Sequence, residues 1–556
     1  MDIQIKELLQ EYSPGDELEI RLGYFKDGDK FHSVITSFMF FCTLKQFSES
    51  GYKISKEEQL IYMGINNDPM ERFKTIVTTD EMITIHKRVK KVEDFVGLGL
   101  RVALSTETIM EETIDLTQTT HKDRTRTTFY NDEINYKIDL TMDQQNKYTH
   151  YQLEVEFISK PSASELKEMI LWLHKYRELL YHNQKVIFSF NRNFVRDPKY
   201  KNSDKDMPYN GGAMPKNLKP YTVPFLNDYV VSSKPNGISY FLYFSEKYGV
   251  YYINRTEIHP VSNKPSHPLL YESIVIGEYI SLKSDSEGIN NKFYAFDFLI
   301  FKKKDVRGLS ATERHDMLVK VKELVNWNNF DILPQFFENR LEKSLKVVFN
   351  YIASEWTPET NDGIVLKPQN MPFNNPYVYK WKPWEDITID LAVKIMDGVY
   401  YGMGYDRNNL TTFVGSKKFP YSGEVDLNGF KVPEFSILEF RYKDGMLRAI
   451  RVRSDKIKPN YIGVAISTWE DIHEPFSKEN LLKLSKLTIN HDDSLIDVTR
   501  KICGFIKTTK DPRVFDELSD YIDTDVVTKM FKGAALLGNR KKMGNELVPV
   551  LSKYFK

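Results

Sequence analysis

Glu17-Leu18-Glu19-Ile20-Arg21 and Gln152-Leu153-Glu154-Val155-Glu156 are the stretches whose reading decides the fold. Charged and apolar residues alternate in both, and a strand sends successive side chains to opposite faces. Leu18, Ile20, Leu153 and Val155 therefore ask for a core, while Glu17, Glu19, Arg21, Glu154 and Glu156 look the other way. Carboxylates crowded on one face repel each other, and enclosing them is costly unless water or a cation meets them. A single Glu-x-Glu strand says little, because exposed sheet faces often carry one. Two such strands, with Arg72, Lys74, Lys87, Arg101, Arg124, Arg126 and Lys137 on strand-like runs between them, say more. Further alternating runs at Met82 to Ile85, Arg101 to Leu104, Thr127 to Tyr130 and Tyr136 to Leu140 predict an antiparallel sheet or barrel. An interior lined by both signs suits a polyphosphate bridged to a metal, and oxygen-only ligands favour magnesium or manganese over zinc.

Outward from this block, 556 residues predict several compact units. Ser162-Ala163-Ser164-Glu165 reads as a capping box opening a helix with Leu166, Met169, Ile170, Leu173 and Tyr176 on one face. Asp197 to Gly212 has almost nothing to bury, so the main boundary is expected there. A mixed unit follows, with strands near Tyr229 to Val231, Ser239 to Phe244 and Phe293 to Phe301 and a helix from about Ala311 to Val325. Strands return between Ile387 and Ile466, notably Ser436 to Tyr442 and Leu447 to Val452. Beyond Ser477 the pattern is helical, with Leu495, Val498, Ile502, Phe505 and Ile506 at helical spacing. The expected units are thus 1–200, 213–385, 386–476 and 477–556, an α+β multidomain chain.

Composition narrows the function classes. Basic and acidic residues balance at 77 each, so any nucleic-acid contact must come from local clusters such as Lys87-Arg88 with Lys90-Lys91 or His121 to Arg126. Lys302 to Lys304 reads as a solvated loop. Cys42 and Cys503 are the only cysteines, which predicts a reducing compartment, here cytoplasmic, and no cysteine zinc site. Asp2 to Ser13 reads as a short capped helix, and no run approaches the roughly 18 apolar residues of a membrane span.

A second ordered set starts at Lys234-Pro235-Asn236-Gly237. It continues through Gly277-Glu278, Tyr294-Ala295-Phe296-Asp297, Asp362-Gly363-Ile364-Val365 and Lys380-Trp381-Lys382-Pro383, and ends at Arg451-Val452-Arg453-Ser454-Asp455-Lys456 with Pro459-Asn460. Locally the first of these is a good turn and nothing more. The order gives it meaning: a lysine nucleophile must be neutral to attack phosphorus, and cations at Lys380 and Lys382 would both lower its pKa and neutralise phosphate oxygens.

The acidic strands resemble the triphosphate tunnel metalloenzymes, specifically RNA 5′-triphosphatases of the viral and fungal capping type. The family's first strand reads Glu-x-Glu-x-Lys or Arg and a late strand Glu-x-Glu-x-Glu; here the latter starts with Gln152. The resemblance implies a metal held by Glu17, Glu19, Glu154 and Glu156, with Arg124, Arg126 and Lys137 steadying the γ-phosphate; Asp139 shares the face of Lys137. The lysine series resembles covalent nucleotidyltransferases, mRNA guanylyltransferases in particular. It implies Lys234 as the residue carrying GMP, Glu278 and Asp362 at the ribose or metal, and Tyr294 and Phe296 as a purine platform. Lys380 and Lys382 would then lie at the α-phosphate, and an OB-fold lid would close with Arg451, Arg453, Asp455 and Lys456. The family's Lys-x-Asp-Gly-x-Arg appears here with Asn236 and Ser239, and its Asp-Gly-Glu with Ile276, so impaired guanylylation is kept open.

Together these imply a bifunctional mRNA capping enzyme of the poxvirus and asfarvirus type, without the methyltransferase domain such chains often carry. GTP and 5′-triphosphate RNA are the implied substrates, a methyltransferase or a component of the transcription machinery is the implied partner, and no membrane is involved. Two rivals stay open: an ATP-dependent RNA ligase or repair enzyme with an end-processing phosphatase, and a scaffold subunit with an inactive nucleotidyl site.

Overall fold

In the computed structural model, strand β1 (Asp16–Leu22) buries Leu18, Ile20 and Leu22 completely, as its alternation requires. The structure describes residues 1–26, 30–64, 70–78, 82–110, 119–145, 148–194, 215–261, 267–282, 290–373, 375–407, 409–453, 456, 458–488 and 501. A hairpin of β2 (Tyr24–Lys26) and β3 (Lys30–His32) follows β1. Then come β4 (Lys53–Gly64), β5 (Glu71–Val77), β6 (Met82–Phe95), β7 (Leu100–Met110), β8 (Thr119–Tyr130), β9 (Tyr136–Gln145) and β10 (Tyr148–Phe157). Eight of these close a barrel in the order β1-β10-β9-β8-β4-β5-β6-β7, with β7 returning to β1. Every neighbour pair is antiparallel.

The apolar half of this barrel faces outward. Leu18, Ile20, Val102, Phe129, Ile138, Leu140, Leu153 and Val155 pack under three helices, α1 (Asp2–Glu11), α2 (Ser37–Ser48) and α3 (Ala163–Phe194). Ile5 and Leu8, Met39 and Phe47, and Leu166, Ile170 and Leu173 complete this core. Small barrels usually fill their interior with side chains from the apolar face. Here the helices take that face, and the charged half is left to line the inside.

The expected capping box is present, with Ser162 N donating to Glu165 at 2.7 Å and Glu165 N donating to Ser162 Oγ at 3.2 Å. The α1 helix has no side-chain cap at Met1, unlike the capped helix expected there. The α3 helix is longer than its first apolar stripe indicates, because its second half serves another unit. Val186, Ile187 and Phe190 join Phe38 of α2 in a core with Phe241, Tyr243, Ile253, Ile274, Leu299 and Ile300.

That second unit holds β11 (Lys216–Asn217), β12 (Tyr229–Pro235), β13 (Ile238–Ser245), β14 (Gly249–Ile253), β15 (Ile258–Pro260), β16 (Ser273–Leu282), β17 (Asn290–Phe301), β18 (Lys304–Asp305) and β19 (Phe330–Ile332). It is completed by β20 (Asn361–Pro368), β21 (Tyr379–Trp381), α4 (Ala311–Val325) and α5 (Leu341–Glu355). One sheet runs β11-β21-β20-β12; the other runs β15-β14-β13-β16-β17-β18 with β19 on β17. Lys302 to Lys304 are exposed, the first two in the turn before β18 and Lys304 at its start.

A third unit has β22 (Thr388–Met396), β23 (Val399–Asp406), β24 (Asn409–Thr412), β25 (Val425–Asp426), β26 (Ile437–Lys443) and β27 (Met446–Val452), ordered β24-β23-β22-β26-β27-β25. The sheet curls until Glu424, just before β25, bridges Tyr401 of β23. Its core includes Ala465, Trp469 and Ile472 of α6 (Ile462–His473). The last described helix, α7 (Lys478–Leu484), returns to the second unit and buries Leu481 and Leu484 with Leu345, Val348, Ile364 and Trp381. The expected boundary at Asp197 to Gly212 and the helical pattern from Leu495 to Ile506 lie outside the described residues. Among the described residues, no helix is long and apolar enough to cross a membrane.

Candidate functional sites

Register assembles the barrel interior. Glu19 stands opposite Glu156 and Arg21 opposite Glu154 on β10, while on the other side Glu17 faces Ser105 and Arg21 faces Arg101 on β7. Arg21 Nη2 lies 2.7 Å from Glu19 Oε1 and its Nε 3.0 Å from Glu154 Oε1. The Lys87 ammonium donates to both Glu17 and Glu19 and lies 3.3 Å from Glu107, which Lys74 reaches at 3.2 Å. Lys137 pairs with Glu156 at 3.0 Å and Arg126 with Asp139 at 3.5 Å. Arg124, expected at the phosphate, pairs with Asp143 at 2.6 Å. Arg72 also faces inward, and among the described residues it makes no ion pair; burial and then the neighbouring Arg21 pull its pKa down.

The balance of charge sets each carboxyl. Burial pushes Glu19 up, but Arg21 and Lys87 outweigh it and hold the carboxyl at about 2. Burial pushes Glu156 up to about 7, aided by the charges of Glu17 and Asp139 against the opposing pull of Lys137. Among the described residues, no three His, Cys, Asp or Glu side chains converge as a ready metal shell. The donor chemistry still fits a hard cation: the facing groups are carboxylates, and a cation, the Lys87 ammonium, already bridges Glu17 and Glu19.

The lysine site lies where one sheet brings three strands together. A register shift in β12 between Ser233 and Pro235 frees Lys234 from the ladder, opposite the start of β20. Lys234 Nζ lies 2.6 Å from Asp362 Oδ2, and Lys382 Nζ lies 2.5 Å from the same oxygen. Gly363 allows this approach: its φ is +111°, and a Cβ there would sit 2.0 Å from the Trp381 carbonyl oxygen. Burial lowers Lys380, and Lys382 and Lys234 add to the effect, bringing it to about 8. Glu278 comes from the other sheet, opposite both Ser239 and Tyr294, and burial raises it to about 7 against the pull of Lys234.

The other expected residues vary in placement. Trp356 packs on Tyr294 with ring centroids 4.8 Å apart, and the Lys292 ammonium lies 5.0 Å from the same ring centroid. Phe296 is half-buried, and its carbonyl accepts from Lys367 at 3.1 Å. Asn236 Nδ2 donates to the Glu359 carbonyl at 3.0 Å, so its amide is turned to a loop. In the third unit Arg451 is bound to Glu439, Arg453 to Asp390 at 2.8 Å, and Lys456 to Asp390 at 3.4 Å. The fields of Lys456 and Glu439 reach Lys380 and Lys382, so this unit faces the lysine site. Asp455 lies outside the described residues.

Sequence reasoning missed Glu107 and Asp143. Both lie past the ends of the runs read as strands, Arg101 to Leu104 and Tyr136 to Leu140, on strands that extend further; counting in twos from Arg101 and from Lys137 puts them inside.

No family model matches the sequence, and no curated protein does. Solved structures do show likeness. The S. pombe Pct1 RNA triphosphatase in complex with the Spt5 CTD is 16% identical, over 33% of this chain and 90% of that one, with a TM-score of 0.24. The putative adenylyl cyclase HpAC1 from Hippeastrum, which has a dominant triphosphatase activity, is 9% identical over 29% of this chain and 87% of that one, with a TM-score of 0.20. A putative adenylate cyclase from Bacillus halodurans is 12% identical over 29% and 92%, with a TM-score of 0.19.

Proposed function

We propose that the barrel is a triphosphate tunnel that removes the γ-phosphate from 5′-triphosphate RNA, and that the lysine site then transfers GMP to the resulting diphosphate end. The observation that carries the first half is a closed antiparallel barrel whose interior alternates carboxylates with guanidinium and ammonium groups. Such a lining holds a polyanion while keeping a set of acids for a cation.

In the tunnel, Arg21, Arg72, Arg126, Lys87 and Lys137 hold phosphate oxygens and neutralise charge as the bond between the γ-phosphorus and the bridging oxygen breaks. A water oxygen takes that place on phosphorus, so the products are orthophosphate and a diphosphate end. Magnesium or manganese held by Glu17, Glu19, Glu154 and Glu156 would supply charge withdrawal from the γ-phosphate.

In the second unit, the Lys234 amine, once deprotonated, attacks the α-phosphorus of GTP. A P–N bond forms, the bond to the bridging oxygen breaks, and pyrophosphate leaves. Asp362 holds the amine in position, and Lys380 and Lys382 meet the phosphate oxygens. The diphosphate RNA end then displaces Lys234 from phosphorus. The curled sheet acts as an OB-fold lid whose Arg451, Arg453 and Lys456 meet the leaving pyrophosphate.

Incubating the chain with α-labelled GTP or ATP and a divalent metal, then denaturing it, tests the transfer. Label retained from GTP is expected. Label from ATP alone would replace capping with ligation, and release of γ-phosphate without any label would leave only the tunnel.

A further inference from the structure

We propose that the β2–β3 hairpin is a stacking platform for the base next to a 5′-triphosphate, seated at the arginine end of the tunnel; the proposal rests on the triphosphatase reading above. β1 presents Glu17, Glu19 and Arg21 in that order, and the chain passes through Gly23 straight into β2. Glu19 to Gly23 is four residues, about 13 Å of strand. Carboxylates, then guanidiniums, then aromatic rings follow the order of a nucleoside triphosphate: outer phosphate, inner phosphates, nucleoside. The guanidiniums are a group, because Arg101, itself paired with Asp94 at 2.6 Å, faces Arg21 in register and Arg72 feels the charge of both.

The hairpin touches this group directly. The Phe31 ring centroid lies 4.9 Å from the guanidinium carbon of Arg101. Phe31 meets Phe25 across the hairpin at 5.1 Å, and Tyr24 stacks on His32 at 5.1 Å with planes 13° apart. Tyr24 is 41% exposed, and the buried His32 Nε2 has no hydrogen-bond partner among the described residues. Neither strand of the hairpin joins the barrel sheet, so its four rings are not explained by a core.

Both legs are fixed. Gly23 N donates to the Gly99 carbonyl at 3.0 Å, and Arg177 Nε donates to the Gly23 carbonyl at 3.2 Å. On the return leg, Gln152 Nε2 donates to Ser33 Oγ at 3.0 Å. A Cβ at Gly23 would lie 2.1 Å from the His32 carbonyl oxygen, so the turn into the hairpin admits no side chain. Rings held this way offer a face to any base, and base stacking on aromatics tolerates any sequence.

The test measures KM and kcat of the full chain on inorganic tripolyphosphate, GTP and triphosphate-ended RNA, for the wild type, Phe31→Ala and Phe31→Trp. Phe31→Ala should raise KM for RNA about 10-fold, leave tripolyphosphate unchanged, and be rescued by Phe31→Trp. A matching rise for GTP puts a single base on the hairpin, and a rise confined to RNA puts a chain there; both support the platform. Equal losses on tripolyphosphate, or no change on any substrate, would overturn it while leaving the tunnel standing. A wild-type chain inert toward all three would overturn the tunnel reading and the platform with it.

Discussion

The two sites meet the same ligand chemistry in opposite ways. Inside the barrel nearly every charge has a partner of the other sign: Glu19 with Arg21 and Lys87, Glu156 with Lys137, Asp139 with Arg126, Asp143 with Arg124. At the lysine site cations exceed their partners, since Lys234 and Lys382 share one oxygen of Asp362 and Lys380 makes no ion pair among the described residues. A balanced tunnel can admit a polyphosphate and a divalent cation together by exchanging partners. A cation-rich pocket waits for an anion alone and holds two lysines, Lys380 and Lys382, with depressed pKa values until that anion arrives.

This contrast can be broken at either end. The largest effect is expected from Lys234→Ala, which removes the amine proposed to form the adduct: denatured protein should carry no label from α-labelled GTP while phosphate release continues. Glu19→Ala should do the reverse, lowering phosphate release about 100-fold or more with adduct formation intact. Loss of both activities in either variant, with the fold preserved by circular dichroism, would show that the sites are not separate.

Smaller changes sharpen the comparison. Gly363→Ala forces a side chain into positive φ and against β21, a cost of at least about 1–3 kcal/mol, so a lowered denaturation midpoint and weak adduct labelling are expected with near-normal phosphate release. The junction between the units should respond to acid. Burial raises Glu257, but bonds from His259 and Tyr240 and the charge of Lys45 bring it from 4.5 to about 2. A carboxyl depressed on folding stabilises fully above pH 4.5, and that contribution is lost as pH falls toward 2, a difference of about 3 kcal/mol. Glu257→Gln should therefore flatten the melting curve's dependence on pH in that window. The smallest effect is expected from Asn236→Asp, since the amide faces the Glu359 carbonyl and not Lys234: adduct yield should change by less than about 3-fold.

The barrel's lining was legible because period two is a local signal: Glu17, Glu19, Arg21, Glu154 and Glu156 fall on one face whatever the strands pair with. Strand order was not legible, because the placement of β4 and β5 between β8 and β6 depends on contacts far apart in the chain. The helix after Ser162 was recognisable from its cap and first stripe, whereas Val186 and Phe190 look out of phase until the second sheet is present to receive them. At the lysine site the residue types were readable as an ordered series, but the partners were not. The shared Asp362 oxygen depends on the β12 register shift and the close passage at Gly363, neither of which has a compositional trace. The β2–β3 hairpin escaped notice because three-residue strands are too short to show alternation.

The α3 helix carries a consequence for anyone who would cut this chain in two. Its 32 residues span about 48 Å, one end roofing the barrel and the other wedged beneath the second sheet. A fragment ending after it would display Val186, Ile187 and Phe190 to water, and a fragment starting after it would display Phe241, Ile253 and Leu299. During synthesis the barrel emerges first, so the growing polypeptide holds a sticky helix end until the following strands leave the ribosome and cover it.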